Sequence, residues 1–240
     1  MKTLAIALGA ALAIGSAAQA QVGPEKDAAA TPLVVVELYT SQGCSSCPPA
    51  DALLEKLAAR SDVLALALHV DYWDYIGWKD TFASPQYTQR QKLYARAAGH
   101  RTIYTPQMVI EGQDHVVGFR PMEVADLISR HRDVAPEAGI TLSRDGDQLT
   151  VRLSPTGKVS GPLVVQLIRF TPSQDVEIER GENAGKRIHY ANVVTEWSRI
   201  GEWDGRADMA IEAPAAGDAG VAVIVQKKDM GPIVAAAMLK

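Results

Sequence analysis

The sequence predicts an α/β protein: a domain of element order β-α-β-α-β-β-α over residues 33–135, then a smaller all-β, sandwich-like C-terminal domain over residues 138–240. Three observations predict it. As far as Asp133, continuous apolar runs alternate with stretches of helical period. Beyond a break at residues 136–139 the helical period vanishes, and apolar runs recur between Gly, Asp and Pro turns. The two cysteines of the chain sit together at the first strand–helix junction.

The N-terminus reads as a secretory signal over residues 1–20. Lys2 supplies the charge, residues 4–14 the apolar stretch, and Ala18-Gln19-Ala20 the small-x-small cleavage pattern. The stretch is too short for a stable membrane anchor, and no other apolar run approaches roughly 18 residues, so no stable membrane insertion is expected. The expected location is periplasmic or secreted. Residues 21–32 form a leader with Gly23, Pro24, an alanine run and Pro32. The formal charge of −4 carries no dense basic patch, which argues against a nucleic-acid partner.

Residues 33–39 read as a strand. Val34, Val35 and Val36 run without alternation, as in a sheet covered on both faces. After the Ser41-Gln42-Gly43 turn, Ala50, Leu53, Leu54 and Leu57 share one helical face. Residues 63–70 form a second buried strand. Residues 71–82 are dense in Asp and aromatic residues. Ser84 then caps a helix with Pro85 in its first turn, ending at Gly99. Residues 108–111 and 115–119 form a hairpin about Gly112-Gln113, and a helix spans residues 121–132 with Val124, Leu127 and Ile128 inside. In the second part, strands are expected at 140–142, 148–153, 163–170, 176–178, 188–200, 207–211, 220–226 and 233–238.

Cys44-Ser45-Ser46-Cys47 lies where a helix begins. Backbone N–H groups there stabilise a thiolate, and a second Cys one turn on can resolve a mixed disulfide. Cys44 is therefore the candidate nucleophile and Cys47 the resolver. A loop this small gains little as a structural staple. Three readings stand: a redox-active pair, a structural disulfide, or half of a metal site. The last would be a periplasmic copper-binding module, to which His69 or Met108 could add ligands. Pro48-Pro49 delays the regular helix to Pro48, which leaves Cys47 as its cap and Cys44 a turn outside. Thr105-Pro106, before the hairpin strand, is a candidate cis bond beside the cysteines, or else a plain strand-start proline. The end of the second strand falls on the same sheet edge, so Asp71, Trp73 and Trp78 are candidate substrate contacts, with Thr105; ordinary packing is the alternative for the two Trp. Arg180-Gly181-Glu182-Asn183-Ala184-Gly185 reads as a turn, with contact to the cysteine site as the alternative.

The element order, with Cys-x-x-Cys after the first strand and Thr-Pro before the third, resembles the thioredoxin fold over residues 33–133. That resemblance implies that Glu37 takes the proton of Cys47; a salt-bridged structural carboxylate is the other reading. The chain departs from ordinary thioredoxins in having Gly43 before Cys44, Ser-Ser between the cysteines and Pro-Pro after them. VELYTSQGCSSCPPAD, VDYWDYIGWKD, YTPQMVIEG, RGENAG and NVV resemble a secreted bacterial family, domain of unknown function 1223. The expected function is an exported thiol–disulfide oxidoreductase acting on a protein or small thiol substrate with an unidentified redox partner. No separate cofactor and no metal are expected, because the dithiol carries the electrons.

Overall fold

The computed structural model describes residues 32–157, 159 and 161–239. The expected signal and the leader up to residue 31 lie outside the described residues. The element order is β1 (Val34–Thr40), α1 (Pro48–Ala58), β2 (Val63–His69), α2 (Pro85–Ala97), β3 (Gln107–Ile110), β4 (Asp114–Val117) and α3 (Pro121–Arg132). Then come β5 (Ala138–Asp145), β6 (Gln148–Pro155), β7 (Leu163–Glu177), β8 (Arg187–Trp203), β9 (Met209–Pro214), β10 (Gly220–Lys227) and β11 (Ile233–Leu239). Among the described residues, no helix is long and apolar enough to cross a membrane.

Two sheets result: a large mixed one in the order β11-β10-β7-β8-β2-β1-β3-β4, and a small antiparallel one, β5-β6-β9. β1 pairs in parallel with β2 over its whole length and antiparallel with β3. Every residue of β1 and β2 is buried, as the unbroken apolar runs require. Val34, Val36 and Leu38 face α1 and α3, packing on Ala50, Leu54, Leu57, Val124, Leu127 and Ile128. Val35 and Tyr39 face the other way, toward Tyr87 and Tyr94 of α2. The small sheet lays Leu149, Val151 and Leu153 against Leu163, Val165, Leu167, Val221, Val223 and Val225.

The C-terminal strands depart from the expected separate sandwich. A two-layer core does form between the small sheet and β7, β10 and β11, but those strands extend the first sheet instead of standing apart. The join is a parallel pairing of β2 with β8 at Ala67 and Val193. At that join Asn192, held at φ 47°, donates from Nδ2 to the Ala65 carbonyl at 2.8 Å. The physical reason is the second edge of β2. A buried edge must have its N–H and C=O groups paired, and a strand from far along the chain does this where local patterning gives no sign. The expected strands at 163–170 and 176–178 are one strand, β7. Its polar middle stays extended by pairing with β8, as at Ser173 with Ala191 and Asp175 with His189.

Behind β1 lies a second joint between the two parts. Glu37, fully buried, accepts from Arg90 Nε at 2.7 Å and from its terminal nitrogen at 2.8 Å, and from the Tyr94 and Tyr39 hydroxyls at 2.7 and 3.0 Å. Arg90 also donates to Gln166 of β7 and Gln226 of β10, and its guanidinium lies 3.9 Å from the centroid of Trp197 of β8. Burial disfavours the Arg90 charge, but Glu37 together with Tyr94 and Tyr39 outweighs it and the guanidinium pKa is raised. One ion pair thus ties β1 and α2 to three C-terminal strands. Removing one member of a buried pair typically costs ~3–5 kcal/mol, because the other charge is left unpaired. We expect Arg90→Ala to lower unfolding free energy by about that much, read as a shift in the urea midpoint; a loss under ~1 kcal/mol would show that this joint contributes little.

Candidate functional site

Cys44 and Cys47 form a disulfide with Cα atoms 5.4 Å apart. The loop that carries them is built by two successive turns, Cys44 N–H to the Ser41 carbonyl at 3.1 Å and Cys47 N–H to the Cys44 carbonyl at 3.2 Å. α1 starts at Pro48, because Pro fits the first helical turn where no N–H partner is needed. Cys47 is its cap at φ −78°, ψ −35°, so it already has helical backbone. Gly43 is set by a close approach: a Cβ there would lie 3.2 Å from the Trp73 Cβ and 3.3 Å from Ile76.

The disulfide is covered. Cys44 is 1 % exposed and Cys47 0 %, while Ser45 and Ser46 between them are exposed. The Ser46 hydroxyl lies 3.4 Å from Cys44 Sγ. The cover comes from two segments. From the loop between β7 and β8, Asn183 donates Nδ2 to the carbonyls of Gln42 and Cys44, both at 2.9 Å. From the aromatic segment, Trp78 Nε1 donates to Gln42 Oε1 at 2.7 Å. A Cβ on Gly181 would lie 3.3 Å from the Trp78 Cβ, so the two covering segments touch. Trp73 backs Gly43 and donates Nε1 to Thr105 Oγ1 at 2.7 Å, reaching the segment before β3.

That segment contains a cis Thr105-Pro106 bond. β3 begins at Gln107, opposite Tyr39, so Pro106 lies at the end of β1 that feeds the cysteine loop. Gln91 of α2 holds this stretch, donating to the Tyr104 carbonyl at 2.7 Å and to Gln107 Oε1 at 2.8 Å.

Of the sequence-derived site residues, the structure gathers Cys44, Cys47, Trp73, Trp78 and Thr105, with Pro106, about one sheet edge. Asp71 is turned to α2, where its carboxylate accepts from the Thr88 hydroxyl at 2.6 Å. Glu37 shares a face with Val35 and Tyr39, opposite the face that α1 covers, and its oxygens are occupied by Arg90 and two tyrosines. His69 Nδ1 lies 2.7 Å from Asp80 Oδ2, and Met108 is packed among α1 and α3. Among the described residues no group of three or more His, Cys, Asp or Glu is arranged to hold a metal ion.

Sequence reasoning passed over the carboxylate on the cysteines' own face of the sheet. Asp51, one turn after Cys47 in α1, is 2 % exposed and accepts from the Thr40 hydroxyl at 2.7 Å. Burial pushes its carboxyl up to about 7, with His69 and the Thr40 bond opposing and Asp80 adding. Asp80 behaves oppositely. Burial raises it, but His69 and the N–H groups of Gln42 and Phe82 outweigh that and hold it below the usual carboxylate range. The spacing of four between Cys47 and Asp51 was the available signal, hidden by a helix that reads as amphipathic through its leucines.

Residues 35–226 match the family described as "Protein of unknown function (DUF1223)", and the chain belongs to that family. No curated protein matches. Among solved structures, the chain is similar to Protein AGR_C_4864 from Agrobacterium tumefaciens. That match has 34 % identity and a TM-score of 0.74, covering 86 % of this chain and 93 % of that one. It is also similar to HBP35 of Porphyromonas gingivalis at 16 % identity and a TM-score of 0.58, covering 87 % of this chain and 75 % of that one, a likeness of fold alone.

Asn183 is the polar latch on the cysteine loop. Its two hydrogen bonds contribute roughly 1 kcal/mol each, so their loss raises the opened population by about 30-fold. We expect Asn183→Ala to speed reduction of the disulfide by a small phosphine at least about tenfold; an unchanged rate would mean that this contact does not control access.

Proposed function

We propose that this DUF1223 protein is an exported thiol–disulfide oxidoreductase with a thioredoxin-like site, acting on a protein or small thiol substrate. One observation carries the reading: the Cys44–Cys47 disulfide closes the turn from β1 into α1, at the sheet edge where Thr105-Pro106 leads into β3. A pair three residues apart stabilises little as a cross-link, whereas at a helix start it has the electrostatics for exchange.

Cys44 is the attacking sulfur. It lies beside the exposed Ser45 and Ser46, and the Ser46 hydroxyl is within reach to donate to its thiolate. The thiolate attacks one sulfur of a substrate disulfide and releases the other as a thiolate. Cys47 then attacks Cys44 Sγ, regenerates the intramolecular disulfide and releases the second substrate sulfur. Two electrons pass from the dithiol to the substrate, and the reverse sequence oxidises a substrate dithiol. A redox partner of the same chemistry resets the pair. The substrate meets the exposed Ser45 and Ser46 first. The sulfurs become reachable when the Asn183 contact opens. Thr105, Trp73 and Trp78 form the wall beside the opening, and Tyr75, 81 % exposed, projects from the same segment. The sequence pattern of residues 1–20 supports export to a periplasmic or extracellular setting, where such a disulfide persists.

Variants of the two cysteines separate the roles. Cys47→Ser leaves the nucleophile without a resolver and is expected to accumulate a mixed disulfide with glutathione, read as a mass increase on the intact protein. Cys44→Ser is expected to accumulate far less. Equal adduct on both variants, or none on either, would sink the assignment.

A further inference from the structure

The side of the cysteine loop facing the protein interior is polar and incompletely paired. Five buried side-chain nitrogen or oxygen atoms among the described residues have no hydrogen-bond partner. Four of them, Gln42 Nε2, Asp51 Oδ2, His69 Nε2 and Tyr190 Oη, belong to residues linked in one cluster behind the disulfide. His69 is 4.9 Å from Tyr190 between ring centroids and 2.7 Å from Asp80, whose carboxylate takes the Gln42 N–H at 2.8 Å. The charges of His69 and Asp80 act on the Asp51 carboxyl, and both carboxylates raise the pKa of the Tyr190 hydroxyl. Unpaired buried polar atoms are rare and costly, and such a concentration asks for a role.

We propose that Asp51 is the acid–base residue for the Cys47 sulfur, held in place by the Thr40 hydroxyl. The geometry is that of one helical turn. Cys47 has helical backbone, and the Asp51 N–H donates to the Cys47 carbonyl at 3.1 Å. Side chains four apart share a face, and the later one leans back over the earlier turn. Both residues are buried, so the carboxylate replaces water as the available base. Thr40 holds Oδ1 and leaves Oδ2 without a partner.

The inference rests on the oxidoreductase reading and adds the proton to it. After Cys44 has formed the mixed disulfide, the Cys47 S–H proton passes to Asp51. The Cys47 sulfur then bonds to Cys44 Sγ, the bond from Cys44 to the substrate breaks, and the departing substrate thiolate takes up a proton from solvent. In the opposite direction, Asp51 in its acid form protonates the Cys47 thiolate as it leaves. Burial tunes this carboxyl to about 7, where it can do either. The groups facing it are Thr40 from β1, His69 from β2, Asp80 from the aromatic segment and Tyr190 from β8.

The test uses the reduced full chain and dithionitrobenzoate, whose released thiolate is coloured. Attack by Cys44 releases a first equivalent, and resolution by Cys47 a second. Asp51→Asn is expected to leave the first phase within about twofold and to slow the second about 100-fold, the scale of general-base catalysis. In the native protein the second phase should show an inflection near pH 7 that the variant lacks. Asp51→Glu should restore part of the rate. Thr40→Val, which keeps the carboxyl but removes a bond that lowers its pKa, should move the inflection upward, and it serves if Asp51→Asn does not fold. A second phase indifferent to Asp51→Asn and Thr40→Val, or both phases slowed alike, would overturn the assignment while leaving the redox reading intact. Absence of both phases in the native protein would overturn the two together.

Discussion

The parallel contact between β2 and β8 is the constraint on which the site depends. It is short, a single bridge at Ala67 and Val193 reinforced by the Asn192 side chain on the Ala65 carbonyl. Its consequence is large, because the β7–β8 loop brings Asn183 to the cysteine loop from more than 130 residues away in the chain, and β8 sets Tyr190 against His69. The Glu37–Arg90 ion pair holds the same join from the other face of the sheet, reaching β7, β8 and β10 through Gln166, Trp197 and Gln226. The C-terminal strands therefore complete the site's cover.

That cover changes the chemistry of the pair. With Cys44 and Cys47 almost without exposure, the sulfurs face fixed protein dipoles in place of water. In such surroundings charges and hydrogen bonds act more strongly, and unpaired polar groups are costly. Two carboxylates in this small volume diverge. Asp80, with backbone N–H donors and His69, is held ionised, whereas Asp51, with one hydroxyl, is lifted toward neutrality. A pair of acids driven apart by their surroundings is a common arrangement in proton-transfer sites. Burial also means that a reagent reaches the sulfurs only through local opening, and the two Asn183 hydrogen bonds lie across the cysteine loop.

Much of this was legible in the sequence. The 121–132 helix coincides with α3, and the apolar runs of β1 and β2, the 108–119 hairpin and the helix start at Pro48 follow from local patterning. What depended on distant pairing was not. The β2–β8 join, the fusion of two expected strands into β7 and the large sheet's continuity come from strands satisfying each other's backbone groups, which no local window records. The buried carboxylates Glu37 and Asp51 show the same divide. Glu37 lies on the strand by analogy of position, but alternation along β1 puts it with Val35 and Tyr39, on the α2 side. Asp51 needed only the four-residue spacing from Cys47, but its burial depends on strands that arrive later in the chain.

The most direct measurement is the equilibrium reduction potential of the Cys44–Cys47 pair in a glutathione buffer. The account predicts a value between about −120 and −270 mV, the range of disulfides that exchange in service. A value below about −300 mV would mark a bond that resists reduction as structural disulfides do, and would contradict the claim that this pair works as a redox centre.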